Sequence, residues 1–169
     1  VVQAALVGVN NTAFAQSAID YAYSRGVAVI ASAGVGGSAQ NDYPAACERT
    51  IQVNAVQKYV GSGTTGEEQF PPSYLYLGGQ TNYGARNTVC APSDGHSSGA
   101  VARSAGIAAL VYSAAENEVQ RGAMWRYPGL ETPPSSGAVK QINAMTADAI
   151  NFSPGSYVVT LGSPHAGLG

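Results

Sequence analysis

Charge is scarce in this sequence. Only 11% of its 169 residues are Asp, Glu, Lys or Arg, and 8 basic against 10 acidic side chains leave a net charge of −2. A nucleic-acid surface needs a basic stripe, which so few cations do not supply. Long apolar runs are missing too, since none reaches the ~20 residues of a membrane-spanning helix. Two cysteines and two histidines argue against a zinc centre built from several Cys and His ligands. Cys47 and Cys90 read equally as a pair in an oxidising compartment or as two small buried hydrophobes. The opening run, Val1-Val2-Gln3-Ala4-Ala5-Leu6-Val7-Gly8, has neither the basic region nor the cleavage site of a leader. It reads as a strand entered in mid-domain, so the expectation is a piece of something longer.

What is abundant is small and apolar. Hydrophobic residues make up 45% of the chain and glycine supplies 21 positions. That composition excludes a disordered acidic tail, and the length fits one domain of roughly 100–200 residues with a real core. Val1–Val7 reads as a strand buried on both faces. Asn10-Asn11-Thr12 supplies loop and N-cap chemistry, Phe14 to Ala22 has helical spacing, and Gly26 fits a helix end. Val27-Ala28-Val29-Ile30-Ala31 is a second buried strand. This βαβ unit predicts an α/β fold with a parallel sheet flanked by helices.

Further along, Thr50–Val56 alternates as a third strand. Residues 57–81 are turn-rich and read as a long surface excursion. Asn87–Ala91 is a short fourth strand, and a small-residue helix runs from about Ser98 to about Glu118, close-packed enough to pass through the protein centre. Val139–Ile150 is amphipathic and Val158–Leu161 reads as a last strand.

Chemistry concentrates in Asp94-Gly95-His96-Ser97-Ser98-Gly99-Ala100. A serine at a helix start sits where backbone N–H groups and the helix dipole favour negative charge. That suits a nucleophile whose reaction builds an oxyanion, although either serine also serves as a plain helix cap. Gly95-His96-Ser97-Ser98-Gly99 fits the G-x-S-x-G nucleophile elbow, and Ser97, Asp148 and His165 occur in the order that reading needs. Against it, Pro92-Ser93-Asp94 separates the strand from the first glycine.

The second reading rests on five segments in order. Residues 16–34 (QSAIDYAYSRGVAVIASAG), 43–56 (YPAACERTIQVNAV), 82–92 (NYGARNTVCAP), 96–110 (HSSGAVARSAGIAAL) and 139–150 (VKQINAMTADAI) resemble the C-terminal half of a subtilisin-like (subtilase) serine peptidase domain. The resemblance covers roughly residues 1–150 and implies that 1–169 is the C-terminal part of a single such domain, with 57–81 a long surface loop insertion. It implies Ser98 as nucleophile, with Ser97 as second choice under a one-residue shift. It also implies that Ala5-Leu6-Val7-Gly8 and Ser32-Ala33-Gly34 line the substrate pocket and hold an extended peptide or protein substrate.

The departures from the family pattern carry their own implications. Val35 stands at the oxyanion asparagine and has no donor to offer; losing one such donor costs on the order of 10²–10³ in kcat, roughly 3–4 kcal/mol. His96, Ala102 and Arg103 replace glycine, proline and histidine of the signature, and Val7 replaces a glycine. The family's catalytic Asp and His lie upstream of the matched segments, so a partner segment of the same protein is expected to complete both triad and sheet. His96 reads as a loop histidine and His165 as a tail histidine. No cofactor is expected; a structural calcium on backbone carbonyls near Ala45, Cys47 and Thr50 is the one metal the resemblance allows. An extracellular or secreted setting suits the low charge and small residues. The competing expectation is an inactive subtilase-like pseudoenzyme that serves as a peptide-binding or structural module.

Overall fold

The computed structural model describes residues 1–58, 74–77, 81–84, 86–93, 96–122, 134–147, 150–152 and 158–161. Thr12 starts the first helix: its Oγ1 accepts from the Ala15 N–H at 3.1 Å, which satisfies one of the donors a helix leaves unpaired at its start. That helix, α1, spans Ala13–Ser24 between strands β1 (Val2–Ala4) and β2 (Val29–Ser32). Gly26, at φ 73°, makes the left-handed turn that reverses the chain into β2. Next come β3 (Ile51–Lys58), β4 (Tyr74–Leu77), β5 (Val89–Pro92), α2 (Ser97–Gln120), α3 (Ser136–Thr146), β6 (Ile150–Phe152) and β7 (Val158–Leu161).

Strands β1, β2, β3 and β5 lie side by side and parallel, with Val2 opposite Val29, Ile30 opposite Ile51 and Val53 opposite Val89. Beyond Val56 the sheet turns antiparallel and continues through β4 and β7 to β6. Every residue of β2 is buried, as an apolar run between two helical layers requires. Its alternate side chains separate the layers. Val29 packs with Ile19 of α1 and Cys47. Ile30 joins Ile51, Val53, Ala100, Val101, Ala108 and Val139 beneath α2 and α3. Each such Val or Ile contributes about 1.5–3 kcal/mol by leaving water.

Some sequence expectations are corrected here. The strand expected over residues 1–7 is only Val2–Ala4, and Val1 and Val2 are 45% and 47% exposed. Among the described residues β1 has a neighbour only on its β2 side, so apolar composition there does not mean burial. Helix α2 does not run through the centre either. Ser97, Ala100, Val101, Ser104 and Ala108 form one buried stripe, while Ile107 and Leu110 face outward. The excursion over 57–81 contributes the end of β3 and all of β4 to the sheet, and its last residue, Thr81, is buried with Oγ1 accepting from the Ala55 N–H at 3.3 Å; residues 59–73 and 78–80 lie outside the described residues. Helix α3 starts and ends earlier than expected and leaves room for the unforeseen β6. Cys47 and Cys90 are both free thiols. Among the described residues no helix is long and apolar enough to cross a membrane.

Candidate functional site

Parallel α/β sheets bind ligands at the carboxyl ends of their strands, where loops and helix N-termini converge. On this rim β2 runs out through Ala33 and Gly34, and β5 is followed by the start of α2. The two are joined by Ser97. Its side chain is fully buried, its hydroxyl is hydrogen-bonded to the Ser32 hydroxyl, and it donates to the Gly34 carbonyl at 3.1 Å. Ser32 Oγ also accepts from the Gly34 N–H at 3.3 Å. Ser98, one residue on, is exposed in the first turn of α2. First-turn N–H groups lack intrahelical acceptors, and the helix dipole adds positive potential there.

The approach to this turn is tight. Ser93 Oγ donates to the His96 carbonyl at 2.7 Å, and the Gly99 N–H donates to the same carbonyl at 3.3 Å. A Cβ on Gly99 would lie 2.6 Å from Ser93 Oγ, so a side chain there would push the turn apart. His96 is the exposed N-cap residue, but its side chain makes no capping bond.

The loop after β2 is held by two residues that sequence reasoning missed. Asn82 is fully buried. Its backbone N–H donates to the Gly34 carbonyl at 2.9 Å, its Oδ1 accepts from the Gly36 N–H at 2.8 Å, and its Nδ2 donates to Asp42 Oδ2 at 2.9 Å. Gly34 takes φ 106°, and a Cβ there would lie 2.1 Å from Asp42 Oδ2 and 2.4 Å from Asn82 Nδ2. Asn82 and Asp42 therefore set the shape of the 34–38 loop. Val35 follows Gly34 with 39% of its surface exposed and presents no hydrogen-bond donor from its side chain.

Residues 5–8 leave β1 on the same rim, because β1 runs parallel to β2. Leu6 and Val7 are 48% and 40% exposed, and the Val9 N–H donates to the Tyr43 carbonyl at 3.2 Å. The rim thus collects Ser32, Ala33, Gly34, Ser97 and Ser98, with 5–8 beside them. Asp94, Gly95, Asp148 and His165 lie outside the described residues.

The carbonyls considered for calcium are at the opposite rim, and they do not fit a metal ion as they stand. The Thr50 carbonyl accepts from Lys140 Nζ at 2.8 Å, and the Cys47 carbonyl accepts from the Thr50 N–H at 3.4 Å. Calcium takes six to eight oxygens at about 2.3–2.6 Å. It would have to displace an ammonium that already sits on one of the expected ligands.

Solved structures similar to this chain include sphericase, at 19% identity over 86% of this chain and 47% of that protein, with a TM-score of 0.60. The S41 psychrophilic protease matches at 18% identity over 86% of this chain and 48% of that one, TM-score 0.58. The prenylagaramide maturation protease PagA matches at 17% identity over 88% and 51%, TM-score 0.56. The fold is subtilisin-like. The chain spans about half the length of these relatives. No protein-family model and no curated protein matches it.

Proposed function

We propose that this chain is the C-terminal part of a subtilisin-like serine endopeptidase with Ser98 as nucleophile. The observation that carries the reading is the division of labour between adjacent serines: Ser97 is spent on Ser32 and Gly34, and Ser98 is exposed at a helix start. Asp and His come from an upstream segment of the same protein that pairs with the open side of β1. In the reaction Ser98 Oγ bonds to the peptide carbonyl carbon while its proton passes to that histidine. The carbonyl π electrons move onto oxygen, and first-turn N–H groups of α2 hold the resulting oxyanion. The histidine then returns the proton to the leaving amine as the C–N bond breaks. The peptide substrate lies extended between residues 5–8 and 32–34. The chain without its partner segment has no peptidase activity, needs no cofactor, and belongs to an extracellular or secreted protein.

Val35 favours a second reading, an inactive subtilase-like scaffold that holds peptides, because its side chain gives an oxyanion nothing to bond. Fluorophosphonate labelling of the full-length protein followed by peptide mapping separates the two. Adduct on Ser98, lost in Ser98→Ala, is the expected result. Adduct on Ser97 would revive the hydrolase-elbow reading, and no adduct on folded protein would establish the inactive scaffold.

A further inference from the structure

At the rim opposite Ser98, a cavity of about 420 Å³ opens between the segment before β3, the segment before β5, and α3. Its walls concentrate positive charge. Arg49, Arg86 and Lys140 line it against one carboxylate, Glu48, although the whole chain has only 8 basic residues and a net charge of −2.

Two of these cations have donors to spare. Lys140 Nζ donates one bond, to the Thr50 carbonyl, and burial pushes its pKa below the usual lysine value. Arg86 donates from Nη1 to the Ala46 carbonyl at 2.8 Å. A guanidinium has five N–H donors and an ammonium three, so both retain capacity. Arg49 is less free, because it pairs with Asp20 at 3.1 Å and stacks over the Tyr23 ring.

Two polar atoms here lack partners among the described residues. Thr50 and Gln52 line the cavity, each is only 2% exposed, and neither Thr50 Oγ1 nor Gln52 Oε1 is hydrogen-bonded. An unmet buried polar group costs about 1–3 kcal/mol. Gln52 Nε2 donates to Asn87 Oδ1 at 2.8 Å, which leaves Oε1 as a fixed acceptor. The site therefore offers cationic donors, one hydroxyl and one buried acceptor. A ligand that answers all of them carries negative oxygens together with an O–H.

We propose that this cavity binds a phosphate group, with Lys140, Arg86 and Thr50 donating to its oxygens and Gln52 Oε1 accepting from its P–O–H. Phosphate keeps a proton near neutral pH, whereas sulfate does not, so the buried acceptor selects between two anions of similar size and shape. The site is separate from the Ser98 rim and does not depend on the peptidase reading.

Isothermal titration of the full-length protein at constant ionic strength and about pH 5, where inorganic phosphate and a phosphate monoester both keep a P–O–H, tests it with inorganic phosphate, phenyl phosphate and sulfate as probes. Saturable 1:1 binding of a phosphate, at least about tenfold tighter than sulfate, is expected. Lys140→Met should weaken it about tenfold or more, and Thr50→Val, which keeps the side chain's shape, should weaken it severalfold while the far-UV spectrum stays unchanged. Tighter binding of phenyl phosphate would identify an organic phosphate monoester as the ligand source; tighter binding of the inorganic ion would identify free phosphate. Absent saturation, equal heats from phosphate and sulfate, or binding indifferent to Thr50→Val and Lys140→Met would overturn the proposal and leave the two orphan atoms to water.

Discussion

Ser97→Ala is the most informative single change in the rim. It removes one hydroxyl that joins β2, the Gly34 loop and α2. Two hydrogen bonds disappear, each worth about 0.5–1.5 kcal/mol net. The Gly34 carbonyl loses an acceptor bond but still accepts from the Asn82 N–H, and Ser32 Oγ still accepts from the Gly34 N–H. Only the Ser32 hydroxyl proton, which Ser97 accepts because its own proton goes to Gly34, is left without an acceptor, and about 2 kcal/mol is the expected loss of stability. With a urea slope of roughly 2 kcal/mol per molar, the unfolding midpoint of the full-length protein should fall by about 1 M. The same variant should still take a fluorophosphonate on Ser98, at a reduced rate, because a loosened first turn places the nucleophile less well. A midpoint unchanged within ~0.2 M would mean that the Ser97 hydroxyl does not join these elements. Complete loss of labelling in a variant that remains folded would mean that Ser97, not Ser98, is the nucleophile.

Three further outcomes are expected. Gly34→Ala meets both a left-handed backbone and the Asp42 carboxylate, so about 3 kcal/mol of stability should be lost together with labelling; a wild-type melt would show that the loop shape is not as described. Val35→Asn should raise kcat by up to about 10²-fold in an active parent protein by supplying the absent donor, and an unchanged kcat would show that the oxyanion is already fully served from elsewhere. Burial pushes the Cys90 thiol from 9.0 up to about 11. Because the unfolded chain gives up that proton first, the thiol's contribution is complete below pH 9.0 and is lost as pH rises through about 11. Urea midpoints across that window should fall less steeply in Cys90→Ala, and parallel profiles would rule out this account.

The parallel sheet was legible because its strands are apolar throughout and a helix of the right length links the first two. Residues 27–31 can hardly be anything but a strand buried on both faces. The same logic failed at residues 1–7, since apolar composition reports what a strand could cover and not what lies beside it. The helix start that carries Ser97 and Ser98 was legible from its position after a strand and before a run of small residues, whereas the choice of Ser98 over Ser97 came only from the subtilase resemblance. Asn82 and Asp42 were not. They are 40 positions apart and act on the backbone of Gly34 and Gly36, where no side chain marks the contact. Lys140 was hidden for a similar reason, since its partner is a carbonyl 90 positions away.

The side of β1 away from β2, which has no partner strand among the described residues, also bears on how the chain behaves in solution. Val2-Gln3-Ala4 has no lysine, no proline and no bulge to discourage an approaching strand, and Val1 and Val2 are half exposed. Sheet edges protected by such devices stay solitary, whereas a bare one recruits whatever extended segment comes near. If no partner segment arrives, the nearest substitute is another copy of the same strand. Self-association that grows with concentration, and is suppressed by Gln3→Lys, is therefore the natural failure mode of a sheet that ends on such a strand.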